Sequence, residues 1–266
     1  MSKTRRAFAR SIVAASAALV FSMSMTFSPG RADAQSASPV KNVVLVHGLY
    51  ADGSSWEKVI PTLQKAGLHV TSVQNPLTSL SDDVEATRRA LALQDGPVVL
   101  VAHSYGGMVI TEAGVDPKVV ALVYIAARGP DAGEDYPALA KKFPPAPASA
   151  GLQWDADGFG ELTESAFLRD FAGDLEPTQA LAYYAVQQRA GKAITTARNT
   201  VAAWHDKPSW YAVSTRDRTI NPDLQRFMAK RMNAHTIELE SSHVSLLSHP
   251  QEVSNLILDA VKATSR

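Results

Sequence analysis

The chain has 266 residues, and its 26 basic side chains balance its 26 acidic side chains, so the formal net charge is zero. A neutral chain without a basic patch interleaved with aromatic residues gives no electrostatic reason to bind nucleic acid or an anionic membrane surface. The sequence contains no cysteine, which excludes disulfides, thiolate catalysis and cysteine metal sites.

The first 34 residues predict a secretory signal. A basic start precedes an apolar stretch rich in alanine, valine and serine over residues 11–27, and Ala32-Asp33-Ala34 is a small-x-small cleavage pattern. A membrane anchor is the alternative, but four serines interrupt the stretch, which falls short of the roughly 20 apolar residues that span a bilayer. We therefore expect cleavage after Ala34.

The segment Thr4-Arg5-Arg6-Ala7-Phe8 also resembles a twin-arginine signal, which is read by the export route for folded proteins. A plain basic start is the alternative, and either route predicts a periplasmic or secreted bacterial protein. Loss of residues 1–34 removes five basic residues and one acidic residue, which leaves 21 and 25 and a net charge of −4. We expect a mildly acidic mature protein without stable membrane association.

Short β-branched runs that alternate with helical patterns predict a parallel sheet covered by helices on both faces. In the first half, strands are expected at 43–46, 69–73, 97–102 and 119–126, and helices at 54–66, 82–93 and 106–113. Asp82 and Glu85 form a possible capping pair for the second of these helices.

This alternation stops at residues 128–208, where a proline-rich loop, helical patterns at 163–172 and 177–188, and many aromatic residues occur. It resumes with strands at 210–214 and 235–239 and helices at 222–231 and 250–263. We therefore predict an α/β fold with a mostly parallel sheet. Its core comprises residues 35–127 and 209–266, and a small, mainly helical cap at 128–208 is inserted after the strand ending near Ala127.

The stretch VAHSYGG, residues 101–107, joins a predicted buried strand to a predicted helix. Strand, small-x-Ser-x-Gly and helix describe a nucleophile elbow, in which a strained turn exposes the hydroxyl of Ser104. Ala102 stands where glycine is more usual, but alanine is still small. Small residues at Ala102 and Gly106 allow the strand and the helix to pack closely.

A nucleophilic serine needs a base and an acid that orients the base, and in this architecture they follow in the order Ser, Asp or Glu, His. Asp217 follows the strand 210–214 and His243 follows the strand 235–239. Both lie at carboxyl ends of strands, where open parallel sheets hold their sites. Competing residues fit structural roles better, being placed at helix starts, within strands or at the wrong strand end; they are Asp206, Asp223, Glu238, Glu240, His69, His205, His235 and His249.

An oxyanion hole requires two backbone donors. The N–H of Tyr105, directly after the nucleophile, is one expected donor, and the N–H of Leu49 in the HGLY turn is the other. His47 is expected to support that turn, and His103 is expected to be structural.

The stretches LVHGLYADGSSW, VAHSYGG, STRDRTINP and SSHVSLLSHP match, in order, the landmarks of the α/β-hydrolase superfamily, which the chain resembles over residues 40–266. The small-cap branch with plant methyl esterases and hydroxynitrile lyases is most similar. The resemblance implies Ser104 as nucleophile, His243 as base, Asp217 as its partner, and Leu49 and Tyr105 as oxyanion donors. The lyases carry a lysine directly after the histidine, whereas Val244 stands here, which disfavours lyase activity.

These features predict a secreted serine hydrolase that cleaves small to medium carboxylic esters through an acyl-enzyme on Ser104. The serine at the elbow disfavours the aspartate-nucleophile relatives, dehalogenases and epoxide hydrolases. Alternatives are a ligand-binding protein on a hydrolase fold, a cofactor-free haloperoxidase-like activity, or cleavage of lactones, thioesters or amides. No H-E-x-x-H metal motif and no phosphate-binding glycine loop is present, so no metal or cofactor is expected.

Overall fold

The computed structural model describes residues 39–265, and the predicted signal segment lies outside the described residues. These residues form the strands β1 (Asn42–Val46), β2 (His69–Val73), β3 (Val98–His103), β4 (Val119–Ile125), β5 (Leu152–Trp154), β6 (Phe159–Leu162), β7 (Ala190–Gly191), β8 (Ser209–Ser214) and β9 (His235–Leu239). Six of them form a parallel sheet in the order β2-β1-β3-β4-β8-β9. The central strands β1 and β3 are buried along their whole length, as their apolar runs predicted.

Helices cover both faces of this sheet. They are α1 (Ile60–Lys65), α2 (Leu80–Ala92), α3 (Gly106–Ala113), α4 (Tyr136–Ala140), α5 (Glu164–Ala166), α6 (Pro177–Ala185), α7 (Pro222–Arg231), α8 (Ser245–Ser248) and α9 (Pro250–Thr264). One apolar cluster joins the sheet to α2, α3 and α7, and a second joins it to α1 and α9. The predicted α/β fold with a parallel sheet is therefore confirmed.

Two local predictions in the first half were wrong. The helix predicted at 54–66 is divided into a 3-10 turn at Gly53–Trp56 and α1, because Pro61 has no N–H to continue an α-helix from the preceding turn. Helix α2 is capped by Ser79, whose hydroxyl accepts from the N–H of Asp82, and not by an Asp82–Glu85 pair.

The stretch between β4 and β8 carries three short α-helices. It also carries a small antiparallel sheet, β5-β6-β7, which the sequence did not predict. Its strands have only two to four residues, too few to show a clear alternation of apolar and polar side chains. A single π-helical turn, Phe167–Phe171, continues α5. No helix between residues 39 and 265 combines the length and apolarity needed to cross a membrane.

Candidate active site

Ser104 lies on a strained turn between β3 and α3, with φ of 55°, a value that non-glycine residues rarely adopt. Two glycines make the turn possible. A Cβ on Gly106 would lie 2.7 Å from the carbonyl oxygen of Val46, and a Cβ on Gly107 would lie 2.0 Å from that of Arg128. Only glycine fits at either position, so the two glycines allow the tight turn that places the hydroxyl of Ser104 between β3 and α3.

The structure brings Ser104, His243 and Asp217 together. The Ser104 Oγ lies 2.8 Å from Nε2 of His243, and Nδ1 of the same ring lies 2.6 Å from Oδ2 of Asp217. A carboxylate oxygen accepts, so Nδ1 carries the proton and Nε2 is left to accept from the serine hydroxyl. All three side chains are buried. Ser104 is only 4% exposed, so the prediction that the turn exposes its hydroxyl was wrong.

Four donors hold the carboxylate of Asp217 in one orientation. Its Oδ1 accepts from the N–H groups of Thr219 and Ile220, and its Oδ2 accepts from Nε2 of Gln225 at 2.7 Å in addition to His243. Gln225 is itself fixed, because its Oε1 accepts from the N–H of Ser214 at the end of β8. Gln225 was not predicted from the sequence, because it lies on the buried face of α7 and has no motif of its own.

The N–H groups of Leu49 and Tyr105 are free for a substrate oxygen, since neither has an acceptor among residues 39–265. The loop that carries Leu49 approaches the elbow closely. A Cβ on Gly48 would lie 2.6 Å from Cβ of Ser104 and 3.2 Å from its Oγ. The loop of Leu49 therefore lies next to Ser104, where an oxyanion hole would need a donor.

His47 supports this loop, as expected. Its Nδ1–H donates to the carbonyl of Gly48, and its Nε2 accepts from the N–H of Asn75, which fixes one neutral tautomer. Asn75 also donates to the carbonyl of His47. Burial lowers the pKa of His47, so the ring stays neutral and holds the turn that precedes Leu49.

His103 joins the elbow to the loop of His243. Its Nε2–H donates to the His243 carbonyl at 2.9 Å, and the two rings lie 4.7 Å apart between centroids. Burial, together with the neighbouring His243, holds the pKa of His103 well below its usual range. His103 is therefore a neutral structural donor, in agreement with the sequence analysis.

Two aspartates of the insertion contact the loops that carry Asp217 and His243, and we call this pair the brace. The carboxylate of Asp170 pairs with Arg218 at 2.6 Å, and its backbone carbonyl accepts from Thr219. The hydrogen bond from Arg169, together with that from Arg218, holds the pKa of Asp170 below its usual range. The loop of Asp217 is thereby attached to the π-helical turn.

The second member of the brace is Asp174. One of its carboxylate oxygens accepts from the N–H of Ser242 at 2.8 Å, and the other accepts from the hydroxyl of the same residue. The Ser242 hydroxyl also lies 3.2 Å from the carbonyl of Phe171, whose ring stands edge-on to His243. Neither aspartate was predicted, because both belong to the insertion and lack a recognisable spacing.

A buried carboxyl supports the residue after the serine. The hydroxyl of Tyr105 donates to Oδ2 of Asp83 at 2.8 Å, and Oδ1 accepts from the N–H of Leu77. Burial raises the pKa of Asp83 to about 6, against the two hydrogen bonds that lower it. The hydrogen bond with Asp83 fixes the side chain of Tyr105 and does not involve the backbone N–H of that residue.

Two cavities flank these residues. The first, lined by Tyr50, His103, Phe171 and Val244 among others, has a volume of about 20 Å³ and is mainly apolar. That is room for roughly one water molecule. The second has a volume of about 450 Å³ and is lined by Arg128, Tyr136 and Ile220 among others, a size that suits a small-molecule ligand. No group of three His, Asp or Glu side chains within residues 39–265 is arranged to hold a metal ion.

A parallel six-stranded sheet with a strained serine turn at its centre defines the α/β-hydrolase fold. The crystal structure of polyneuridine aldehyde esterase superposes on it with a TM-score of 0.72 at 21% identity, covering 83% of this chain and 98% of that one. The likeness confirms the fold.

The chain belongs to the Alpha/beta hydrolase family, whose sequence profile matches residues 43–256. The alpha/beta hydrolase nvfD of Aspergillus novofumigatus is 27% identical to it over 243 residues, which cover 82% of this chain and 95% of that protein. Methylesterase 8 of Arabidopsis thaliana is 26% identical over 246 residues, which cover 82% and 88%. The resemblance to the esterase branch of the superfamily is confirmed.

Proposed function

We propose that the protein is a serine hydrolase that cleaves small to medium carboxylic esters through an acyl-enzyme on Ser104. The observation that carries this proposal is the continuous hydrogen-bonded chain from the Ser104 hydroxyl through His243 to Asp217. The esterase names of relatives that match most of the chain favour ester substrates.

In the first half of the reaction, Ser104 Oγ attacks the ester carbonyl carbon while Nε2 of His243 takes the hydroxyl proton. Asp217 keeps the imidazole in the required tautomer and stabilises its charged form. The carbonyl oxygen becomes an oxyanion between the N–H groups of Leu49 and Tyr105, and each such donor lowers the barrier by about 3 kcal/mol. His243 then returns the proton to the leaving alcohol.

In the second half, water takes the place of the alcohol. His243 removes a proton from water, the hydroxide attacks the acyl carbon, and the proton passes to Ser104 as the acid leaves. The neutral state of His47 and His103 suits this cycle, because neither ring competes with His243 for the proton at neutral pH.

We also propose export, because residues 1–34 carry the order of regions expected for a secretory signal. Replacing Arg5 and Arg6 by lysine blocks the twin-arginine route but leaves a plain basic start intact. Loss of the periplasmic form in this double variant supports the twin-arginine route, and unchanged export supports the general route. Retention of the wild type in the cytoplasm with an uncut N-terminus contradicts the proposal.

The enzymatic proposal is tested by a fluorophosphonate probe combined with a panel of para-nitrophenyl esters of graded acyl size. We expect a stoichiometric adduct on Ser104 and turnover of the smaller esters, and loss of both in Ser104→Ala. Folded wild-type protein that forms no adduct and hydrolyses no ester contradicts the proposal. That result would favour a ligand-binding protein on a hydrolase fold.

A further inference from the structure

Arg128 lies beside the candidate active site, at the point where the chain leaves β4 for the insertion. The backbone N–H of Arg128 donates to the backbone carbonyl of Ser104 at 2.9 Å. Its guanidinium lies 4.9 Å from the centre of the Tyr136 ring and 6.0 Å from that of Tyr105. The side chain is thus held in place by cation–π contacts and not by an opposite charge.

The guanidinium of Arg128 has no anionic partner within the described chain. No carboxylate of residues 39–265 forms an ion pair with it, and its Nε–H is buried without an acceptor. Most other arginines of these residues do pair with an aspartate or glutamate: Arg89, Arg169, Arg189, Arg198, Arg216, Arg218, Arg226 and Arg231. A partly buried cation left unpaired costs free energy of desolvation, which an anionic ligand can offset.

The cavity of about 450 Å³ that Arg128 lines has only basic side chains as charged groups in its wall. Lys141 is its second charged lining residue, and no aspartate or glutamate contributes to its wall. Tyr136, Phe143 and Ile220 add apolar surface. Such a lining suits a ligand with a short apolar chain that ends in a negative charge.

Three residues that line this cavity form backbone hydrogen bonds with proposed catalytic residues. Thr219 and Ile220, which line it, donate their backbone N–H groups to the carboxylate of Asp217. The backbone N–H of Arg128 donates to the carbonyl of Ser104. The apolar cavity on the other side, at about 20 Å³, has no comparable room. Of the two cavities beside these residues, the one that Arg128 lines is the larger and has room for a substrate chain.

We propose that Arg128 binds a free carboxylate of the substrate, so that the preferred esters are half-esters of dicarboxylic acids. A guanidinium presents two parallel N–H donors that match the two oxygens of a carboxylate. The inference rests on the proposed function and narrows its substrate class.

The test compares two esters of equal chain length, para-nitrophenyl hydrogen adipate with a free carboxylate and its neutral methyl ester. We expect kcat/KM of the wild type to favour the acid by about tenfold or more, the size of one charge-assisted hydrogen bond. Arg128→Met removes this preference, because it lowers kcat/KM for the acid by more than for the neutral ester. Arg128→Lys keeps the positive charge but lacks the two parallel N–H donors, so it should retain only part of the preference.

Lys142→Met provides a matched control, because Lys142 is the exposed neighbour of Lys141 and does not line the cavity. It removes the same charge and should keep the full preference. A wild type that hydrolyses both esters equally, or an Arg128→Met variant that still prefers the acid, overturns the inference while ester hydrolysis stands. Absence of all turnover and of the fluorophosphonate adduct instead overturns the proposed function.

A second measurement does not depend on the variants folding. Monomethyl adipate should slow fluorophosphonate labelling of wild-type Ser104, and dimethyl adipate at equal concentration should slow it less. Added salt should weaken the protection by the acid and leave that by the diester unchanged. Equal protection by the two compounds contradicts an anion site at Arg128.

Discussion

The Nε2–H of His103 donates to the backbone carbonyl of His243, across 2.9 Å, and so ties the residue before the proposed nucleophile to the proposed base. The contact joins the end of β3 to the loop after β9, two elements that lie 140 residues apart in the chain. The spacing between serine and imidazole therefore depends on a neighbouring side chain as well as on the sheet.

Replacing His103 by phenylalanine keeps a ring of similar size but removes this donor. We expect a decrease in the free energy of unfolding of about 1–2 kcal/mol, because a buried carbonyl loses its hydrogen bond. We also expect kcat to fall about tenfold, as His243 gains freedom relative to Ser104. Denaturant unfolding and ester kinetics measure the two effects. His235→Phe is the control, because His235 is exposed on β9 and stacks on Trp210, a contact that phenylalanine can keep. Equal effects of the two substitutions contradict the role of His103.

Gly48→Ala should damage the oxyanion site. The new Cβ would meet Cβ of Ser104 at 2.6 Å, so the loop with the Leu49 N–H or the serine must move. Loss of one oxyanion donor lowers kcat by about a hundredfold or more, with a smaller change in KM. Gly96→Ala is the matched control, since its Cβ meets nothing nearer than 3.7 Å. Full activity of the Gly48 variant would show that the N–H of Leu49 is not used.

Asp174→Ala should loosen the loop of His243 without touching the loop of Asp217. The N–H and the hydroxyl of Ser242 lose their acceptor, and we expect kcat to fall about tenfold. Asp174→Asn retains one acceptor oxygen and should recover part of this activity. Asp157→Ala changes an exposed aspartate of the same insertion and should behave like the wild type. Labelling of Ser104 by the fluorophosphonate should follow the same order as kcat.

The elevated pKa of Asp83 predicts a pH-dependent effect of Asp83→Asn. Because the pKa of this carboxyl rises from 3.8 to about 6 on folding, the stability that its protonated form contributes is present below about pH 4 and lost as the pH rises to about 6. Asparagine cannot ionise. The variant should therefore gain stability relative to the wild type by up to about 3 kcal/mol between pH 4 and pH 7.

Unfolding by urea at several pH values measures this difference, and buried histidines affect both proteins alike. A stability difference that stays constant from pH 4 to pH 7 would show that Asp83 has the same pKa in the folded and unfolded chain. A difference that changes in the opposite direction would show that the carboxylate is stabilised by its hydrogen bonds with Tyr105 and Leu77.

The residues that were predicted from the sequence share one property: the residues directly around each of them show where it lies in the fold. Ser104 lies between a buried apolar strand and two glycines, and Asp217 and His243 each follow a strand, so the fold alone brings them to one edge of the sheet. The structure places these three side chains within hydrogen-bonding distance.

The residues that sequence reasoning missed depend on long-range packing instead. Gln225 occupies an ordinary position of α7, and its importance follows only from the approach of α7 to Asp217. Arg128, Asp170 and Asp174 belong to the insertion, where the short strands and the π-helical turn give no periodic pattern. Their partners lie from 48 to 68 residues away for the two aspartates, beyond the reach of a local motif.

The brace limits how this architecture can diversify. The stretch between β4 and β8 is inserted between two strands of the sheet, so it could be expected to be replaceable as a unit. Asp170 and Asp174, however, bind the loops that carry the proposed catalytic residues. A graft that replaced the whole stretch would discard both anchors along with the old specificity. Exchange of residues 136–162 alone would instead change much of the cavity wall around Arg128 and leave Asp170 and Asp174 in place. Substrate selectivity can therefore change there without loss of the contacts that hold the proposed catalytic loops.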